Sequence, residues 1–151
     1  MRLSFQLDTK QVTKTLNVLA DKLQDLKKPL DQAGNDLLQY FGREVFESQG
    51  ASNGGTWRRL APATLKMRAN RWGYYRASPR RTDRILIWTG RLQDGFKKVV
   101  TRDMLVIKND VDYFKHHQRG QRQMLALNDK VITTVINRFN EHIANSLKKS
   151  L

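Results

Sequence analysis

Asp112 and His116 are spaced by one helical turn, with His117 adjoining, and these are the side chains closest to a metal-ligand pattern. A zinc-type centre needs a third and a fourth ligand. His142, the remaining histidine, falls in a separate amphipathic segment with no fixed relation to the other two, so a histidine pair buried or at the edge of the core is the expectation, with no metal and no other cofactor. Asp21, Asp25, Asp94 and Asp110 fall on helix exteriors or turns, and no close carboxylate pair adjoins an apolar pocket pattern that would tune it for proton transfer. A nuclease would need a carboxylate cluster able to hold two metal ions, which the pattern lacks. The glycines of "SQGASNGGTW" do not lead from a strand into a helix with a following Lys-Ser or Lys-Thr, so they form no phosphate loop. There is no cysteine to act as nucleophile, thiolate ligand or disulfide partner. These residues predict a protein that is not an enzyme.

Charge is the stronger signal. The formal net charge is +14, and it is unevenly spread: residues 1–57 carry 7 basic and 7 acidic side chains, residues 58–91 carry 10 and 1, and residues 92–151 carry 11 and 6. Charge concentrated in one segment marks a surface that meets a polyanion or an acidic protein. Within the basic segment, "RWGYYR" interleaves Trp72, Tyr74 and Tyr75 with Arg71 and Arg76. Such a composition suits stacking on bases while neutralising phosphates, and equally suits packing a loop onto its own domain or onto a neighbouring subunit. Trp57 and Trp88 read as core anchors.

The elements that must position these residues follow from hydrophobic periodicity. Leu3, Phe5 and Leu7 alternate with polar residues as a half-buried strand does. Val12, Leu16, Leu19, Leu23 and Leu26 share one helical face, with Asp8 or Thr9 as N-cap. Pro29 suits the first turn of a second helix, whose face carries Leu30, Ala33, Leu37, Phe41 and Val45, joined by Leu38 and Phe46, and which stops before "SQGASNGG". Residues 61–84 have no sustained period beyond a short helix after Pro62, and a stretch of that kind inside a compact domain is usually functional or disordered. "ILIW", from Ile85 to Trp88, reads as a short strand, and "TGRL" as a break followed by a turn of helix. Phe96 to Val100 and Met104 to Ile107 form a hairpin around "TRD". Asn128 or Asp129 caps a last helix, lined on one side by Ile132, Val135, Ile136, Phe139, Ile143 and Leu147.

The expected fold is therefore α+β, a small, mainly antiparallel sheet packed by N-terminal and C-terminal amphipathic helices. It forms one domain over residues 1–151 with a long basic loop, an insertion at about 61–84. No segment is apolar enough for a signal peptide or a spanning helix, so a soluble protein made without export is expected, with no membrane contact.

Four pieces in order, "VFESQG", "GGTWRRLAPATL", "ILIWTGRLQDGF" and "VDYFKHHQRGQRQMLAL", followed by the final amphipathic helix, resemble the phage virion morphogenesis family, the tail-completion proteins of tailed phages and prophages. The resemblance runs from about residue 30 to the C-terminus. The residues that carry it are Phe46 and Gln49; Gly54 or Gly55, Trp57, Leu60 and Thr64; Ile85, Leu86, Thr89, Gly90 and Leu92; Tyr113, His117, Gln118 and Gly120; and Arg122 and Leu125. Phe114, Gln123 and Met124 depart from the pattern, which has a small residue, a proline and an aromatic there, and these changes bear on packing near the "HHQRG" loop. Gly90 and Gly120 are read as turns that a Cβ would strain, and Trp57, Leu86, Leu92 and Leu125 as members of a shared core.

The resemblance implies a structural virion component. Such proteins form a ring of six subunits that closes the head-proximal end of the tail, as a tail terminator, and prepares it for head-tail joining. The implied location is the tail-neck region of the virion, after synthesis in the host bacterial cytoplasm. The implied partners are further copies of itself, the tail tube and the neck or connector proteins. Within that frame, the segment from Lys66 to Arg84 is expected to project, so that Arg68, Arg71, Arg76, Arg80, Arg81 and Arg84 meet either the phosphates of DNA in the lumen or acidic surfaces of neck and tail proteins. The alternative is a stand-alone basic nucleic-acid-binding protein, although no helix-turn-helix or zinc-finger signature accompanies the charge.

Overall fold

The computed structural model describes residues 13–14, 16–17, 20–21, 26–69 and 84–148. The expected strand at Leu3, Phe5 and Leu7 lies outside them, as do Val12, Leu19 and Leu23 of the first helix. Residues 13, 14, 16, 17, 20 and 21 are helical, as the spacing predicts, but Leu16 is 57% exposed. Leu26, assigned to that helix's apolar face, instead precedes the next helix and donates its N–H to the Arg102 carbonyl at 3.1 Å.

Helix α1, Lys27–Gln39, is the spine of the fold. It continues through a π-helical turn, Tyr40–Glu44, and a last α turn, Val45–Glu47. A π turn holds an extra residue, which shifts the following positions around the axis. Here adjacent Tyr40 and Phe41, then adjacent Val45 and Phe46, all reach the buried side. The periodic reading named Phe41, Val45 and Phe46 for this side but not Tyr40. The Tyr40 hydroxyl is satisfied inside: it donates to the Ser52 carbonyl at 2.6 Å and accepts from Asn128 Nδ2 at 3.0 Å.

Strands β1, Phe96–Val100, and β2, Leu105–Asn109, form the expected antiparallel hairpin, with Val99 opposite Val106 and Phe96 opposite Asn109. Phe96 is buried, and Lys98 and Leu105 lie over Gly34 of α1, where an added Cβ would come within 2.9 Å of both side chains. Helix α1 packs against the hairpin and also against the final helix. The core joins Leu37, Phe41, Phe46, Trp57, Phe96 and Met124, with Phe46 edge-on to Trp57 at 5.4 Å and Phe114 edge-on to Phe96 at 5.9 Å. Each large apolar side chain buried in this way contributes about 1.5–3 kcal/mol.

The architecture is α+β: helices plus a small two-stranded antiparallel sheet. Helix α2, Pro62–Ala69, follows Pro62 as expected, and the rest of the basic segment, residues 70–83, lies outside the described residues.

The "ILIW" strand is a correction. Residues 84–90 run as turns and bends, with Leu86 in the left-handed region at φ 61°. The Ile85 N–H goes to the side-chain oxygen of Gln49, at 2.7 Å, instead of to a neighbouring strand. Ile85 and Ile87 are both buried in the core, so the apolar run reports burial without extended pairing. "TGRL" behaves as expected, with Gly90 at φ 82° leading into the short helix α3, Arg91–Asp94. Gly120 lies in a turn without a left-handed backbone, and there the constraint is a carbonyl, since an added Cβ would sit 3.3 Å from the His116 oxygen. Helix α4 is Phe114–Gln118.

Helix α5, Asp129–Lys148, is capped by Asn128, whose side-chain oxygen accepts the Val131 N–H at 3.0 Å. Its expected apolar line is split. Val131 is buried and Val135 packs on the core, whereas Ile132, Ile136 and Leu147 are exposed, because the helix turns the side bearing Val131 and Arg138 toward α1.

Candidate partner-binding groove

Trp57 anchors the segment that opens the site. It is 3% exposed, and its indole N–H donates to the Gln123 carbonyl at 3.1 Å. From that anchor the chain runs through Arg58, Arg59 and Leu60 into α2, and Arg68, on the last turn of α2, comes back over the 84–90 turn. The Arg68 guanidinium carbon lies 4.9 Å from the Trp88 ring centroid, and its Nη1 donates to the Arg84 carbonyl at 2.8 Å. On the facing side stand Tyr113 and His117 of the α4 region, with the imidazole edge-on to the phenol ring at 6.1 Å, and Arg122, which donates to the Arg58 carbonyl at 3.3 Å.

Between these walls is a groove of about 660 Å³. Leu60, Pro62, Leu86, Trp88 and Leu92 give it an apolar floor, and Arg58, Arg59, Arg68, Arg91 and Arg122 a cationic rim. Among the described residues that line it there is no carboxylate. The field of so many like charges acts on the groove's own members. Burial, and then the nearby Arg122, lower the Arg68 guanidinium below its ordinary value, and burial, Arg122 and His116 together lower the His117 imidazole.

Five carboxylates outside the groove are held by other cations. Asp31 pairs with Lys98 at 2.7 Å, Asp36 with Arg138 at 2.6 Å, and Asp110 with Lys97 and Lys108 at 2.9 Å each. Glu44 pairs with Lys130, and Glu141 with Arg138 at 2.8 Å. Acidic groups are thus matched on α1, α5 and the hairpin, while the groove keeps positive charge.

Leu60, Thr64, Leu86, Thr89, Leu92, Tyr113, His117 and Arg122, scattered over four sequence motifs, all line this one groove. Other motif residues stand behind it. Gln49 accepts the Ile85 N–H, and Gln118 accepts the N–H groups of Met124 and Leu125 at 3.0 and 2.9 Å, fixing the loop that carries Arg122. Trp57 is in the core, and Leu125 packs against it. Met124, where the family pattern has an aromatic, is fully buried.

Trp88, expected as a core anchor, is only partly buried and walls the groove. Arg84 is turned away from it and donates to the Glu47 carbonyl at 3.0 Å. Arg71, Arg76, Arg80 and Arg81, with Trp72, Tyr74 and Tyr75, lie outside the described residues. Arg58, Arg59 and Arg91 were not singled out by sequence. The available signal was their adjacency to the motif residues Trp57 and Gly90, inside the basic segment 58–91. Among the described residues no three His, Asp or Glu side chains cluster as metal ligands, and no helix is long and apolar enough to cross a membrane.

Comparison with known proteins gives one family. The model of the phage virion morphogenesis family matches residues 7–143, nearly the whole chain. No curated protein and no solved structure matches it.

Proposed function

The chain belongs to the phage virion morphogenesis family, and from that premise we propose that it completes the head-proximal end of a phage tail and supports head-tail joining as a ring of six subunits. The observation that carries this reading is the convergence of the family's motif segments on a single rimmed groove, with Thr64, Thr89, Tyr113 and Arg122 presented from four different stretches of chain. Shape and charge gathered in this way serve recognition, which a joining protein requires on at least one of its faces.

Ring closure by cyclic symmetry needs two different patches, each meeting the other on the next subunit. Two apolar faces support it. The outer face of the hairpin leaves Val99, Met104 and Val106 in water, and α5 leaves Ile132, Ile136 and Leu147 there. Helix α1 packs against both elements, so the two exposed faces are carried by separate elements on a shared helix.

The test is electron microscopy of tails and particles assembled with and without the labelled protein. Unjoined or overgrown tails in its absence, and label at the neck in its presence, are the expected results. Normal particles carrying no label would refute the assignment and return attention to the basic segment as a nucleic-acid surface.

A further inference from the structure

We infer that the groove between α2, the 84–90 turn and Arg122 receives an acidic polypeptide segment of another protein, one that places an apolar side chain between carboxylates. This rests on the groove's own chemistry and holds wherever the subunit sits in the virion.

The floor and the rim make different demands, and one ligand class meets both. Leu60, Leu86, Trp88 and Leu92 present apolar surface that is stabilised by removing it from water. A rim of guanidinium groups matches carboxylates bidentately, with planar donors at fixed angles. The volume of about 660 Å³ lies within the range of small-ligand pockets, which suits a few side chains of a peptide rather than a folded surface.

Nucleic acid fits less well. A duplex presents phosphates on a convex surface and has nothing for an apolar floor. Single strands bind by stacking bases on aromatic faces, but one face of Trp88 is covered by Arg68 at 4.9 Å. A second copy of this chain fits less well, because it carries a net charge of +14 and five of its carboxylates, Asp31, Asp36, Glu44, Asp110 and Glu141, are held by its own lysines and arginines. The occupant is therefore a different, acidic protein.

Two further observations agree with a binding role. Leu86 is held at φ 61°, a conformation that is strained for a branched side chain and that recurs at ligand sites. Burial, and then the neighbouring Arg122, disfavour the charge of Arg68, and a carboxylate brought to this edge of the groove would favour it.

The experiment is a binding screen of the full chain against dodecapeptides in which an apolar residue, varied among Leu, Phe and Trp, is flanked by Asp and Glu at varied spacing. Three comparison ligands accompany it: the same peptides with Ser for the apolar residue, lysine versions, and a 20-bp DNA duplex. The best apolar-anchored acidic peptides are expected to bind at least about tenfold tighter than their Ser counterparts. Arg59→Glu with Arg91→Glu, both exposed rim residues, is expected to weaken them by about tenfold or more, whereas Lys14→Glu with Lys28→Glu, equal in charge change, costs about twofold or less. Circular dichroism of both double variants confirms that they fold. Equal binding of the anchored and Ser peptides, or equal loss in the two double variants, would reduce the groove to general polyanion attraction and overturn the inference. So would the absence of any binding peptide, or tighter binding of the duplex that is lost on Arg59→Glu with Arg91→Glu.

Discussion

The indole N–H of Trp57 and the carbonyl of Gln123 meet at 3.1 Å across 66 residues of sequence, and this bond ties the two walls of the groove together. Behind it, Gly50 has φ 89°, and a Cβ added there would stand 2.4 Å from the indole ring. Trp57→Phe removes the donor while keeping an aromatic, and is expected to destabilise the fold by about 2 kcal/mol. Gly50→Ala combines a left-handed backbone with a collision against the same ring, and is expected to cost about 3 kcal/mol. Urea unfolding midpoints measure both; a neutral Trp57→Phe would mean that the bond carries no stability.

Gln118 serves its loop in a comparable way. Its amide oxygen accepts from Met124 and Leu125, and its amide nitrogen donates to the Leu125 carbonyl. Gln118→Met keeps the size and removes all three bonds, leaving part-buried backbone groups unsatisfied at a cost of about 2 kcal/mol. Hydrogen exchange is expected to speed up at Met124 and Leu125 and to stay unchanged at the centre of α5. Uniform acceleration across the chain would show that Gln118 supports the whole core and not this loop.

What the sequence disclosed, and what it withheld, divides along physical lines. Elements set by local periodicity were legible: the helix through Leu30, Ala33 and Leu37, the hairpin around "TRD", and the Asn128 cap. Two failures came from reading apolar residues as if they had one partner. The run Ile85 to Trp88 looked like a strand, but its first N–H, that of Ile85, is taken by the side chain of Gln49, which stands 36 residues earlier. The stripe of α5 looked like one buried face, yet Ile132 and Ile136 lie in water, because a stripe states that a surface is apolar and not what covers it. For the site, charge density marked residues 58–91, the segment that gives the groove Arg58, Arg59, Arg68 and Arg91. The groove itself was not legible, since Arg58, Arg91 and Arg122 converge only through the tertiary bonds of Trp57 and Gln118.

His117 gives the groove a pH dependence. Burial, with Arg122 and then His116 beside it, holds its imidazole below the ordinary value of about 6.5. Arg58 also lines its surroundings. A histidine with a lowered folded-state value is protonated more readily in the unfolded chain. Its contribution to stability is therefore present above the unfolded value and is lost as pH falls through the folded one. NMR titration of the imidazole should show the lowered value, and Arg122→Gln should move it upward. A titration at the ordinary value that Arg122→Gln leaves unchanged would show that the guanidinium does not reach the ring.

The two exposed apolar faces make a sharper prediction about assembly, because a ring interface joins unlike patches. Val106→Lys on the hairpin and Ile136→Lys on α5 replace exposed side chains, so each is expected to change monomer stability by no more than about 0.5 kcal/mol. Each should abolish the ring. Mixed together, they should behave differently: a subunit carrying Val106→Lys keeps its α5 face, one carrying Ile136→Lys keeps its hairpin face, and one productive junction remains. The heterodimer that forms then exposes only the two damaged faces and cannot grow. Mass photometry of each variant and of the mixture, under conditions in which the unaltered protein assembles, distinguishes the cases. Monomers alone and heterodimers on mixing would establish a head-to-tail interface between these two faces. Rings surviving either substitution would place the interface elsewhere on the subunit, and monomers in the mixture would show that the two faces do not meet each other.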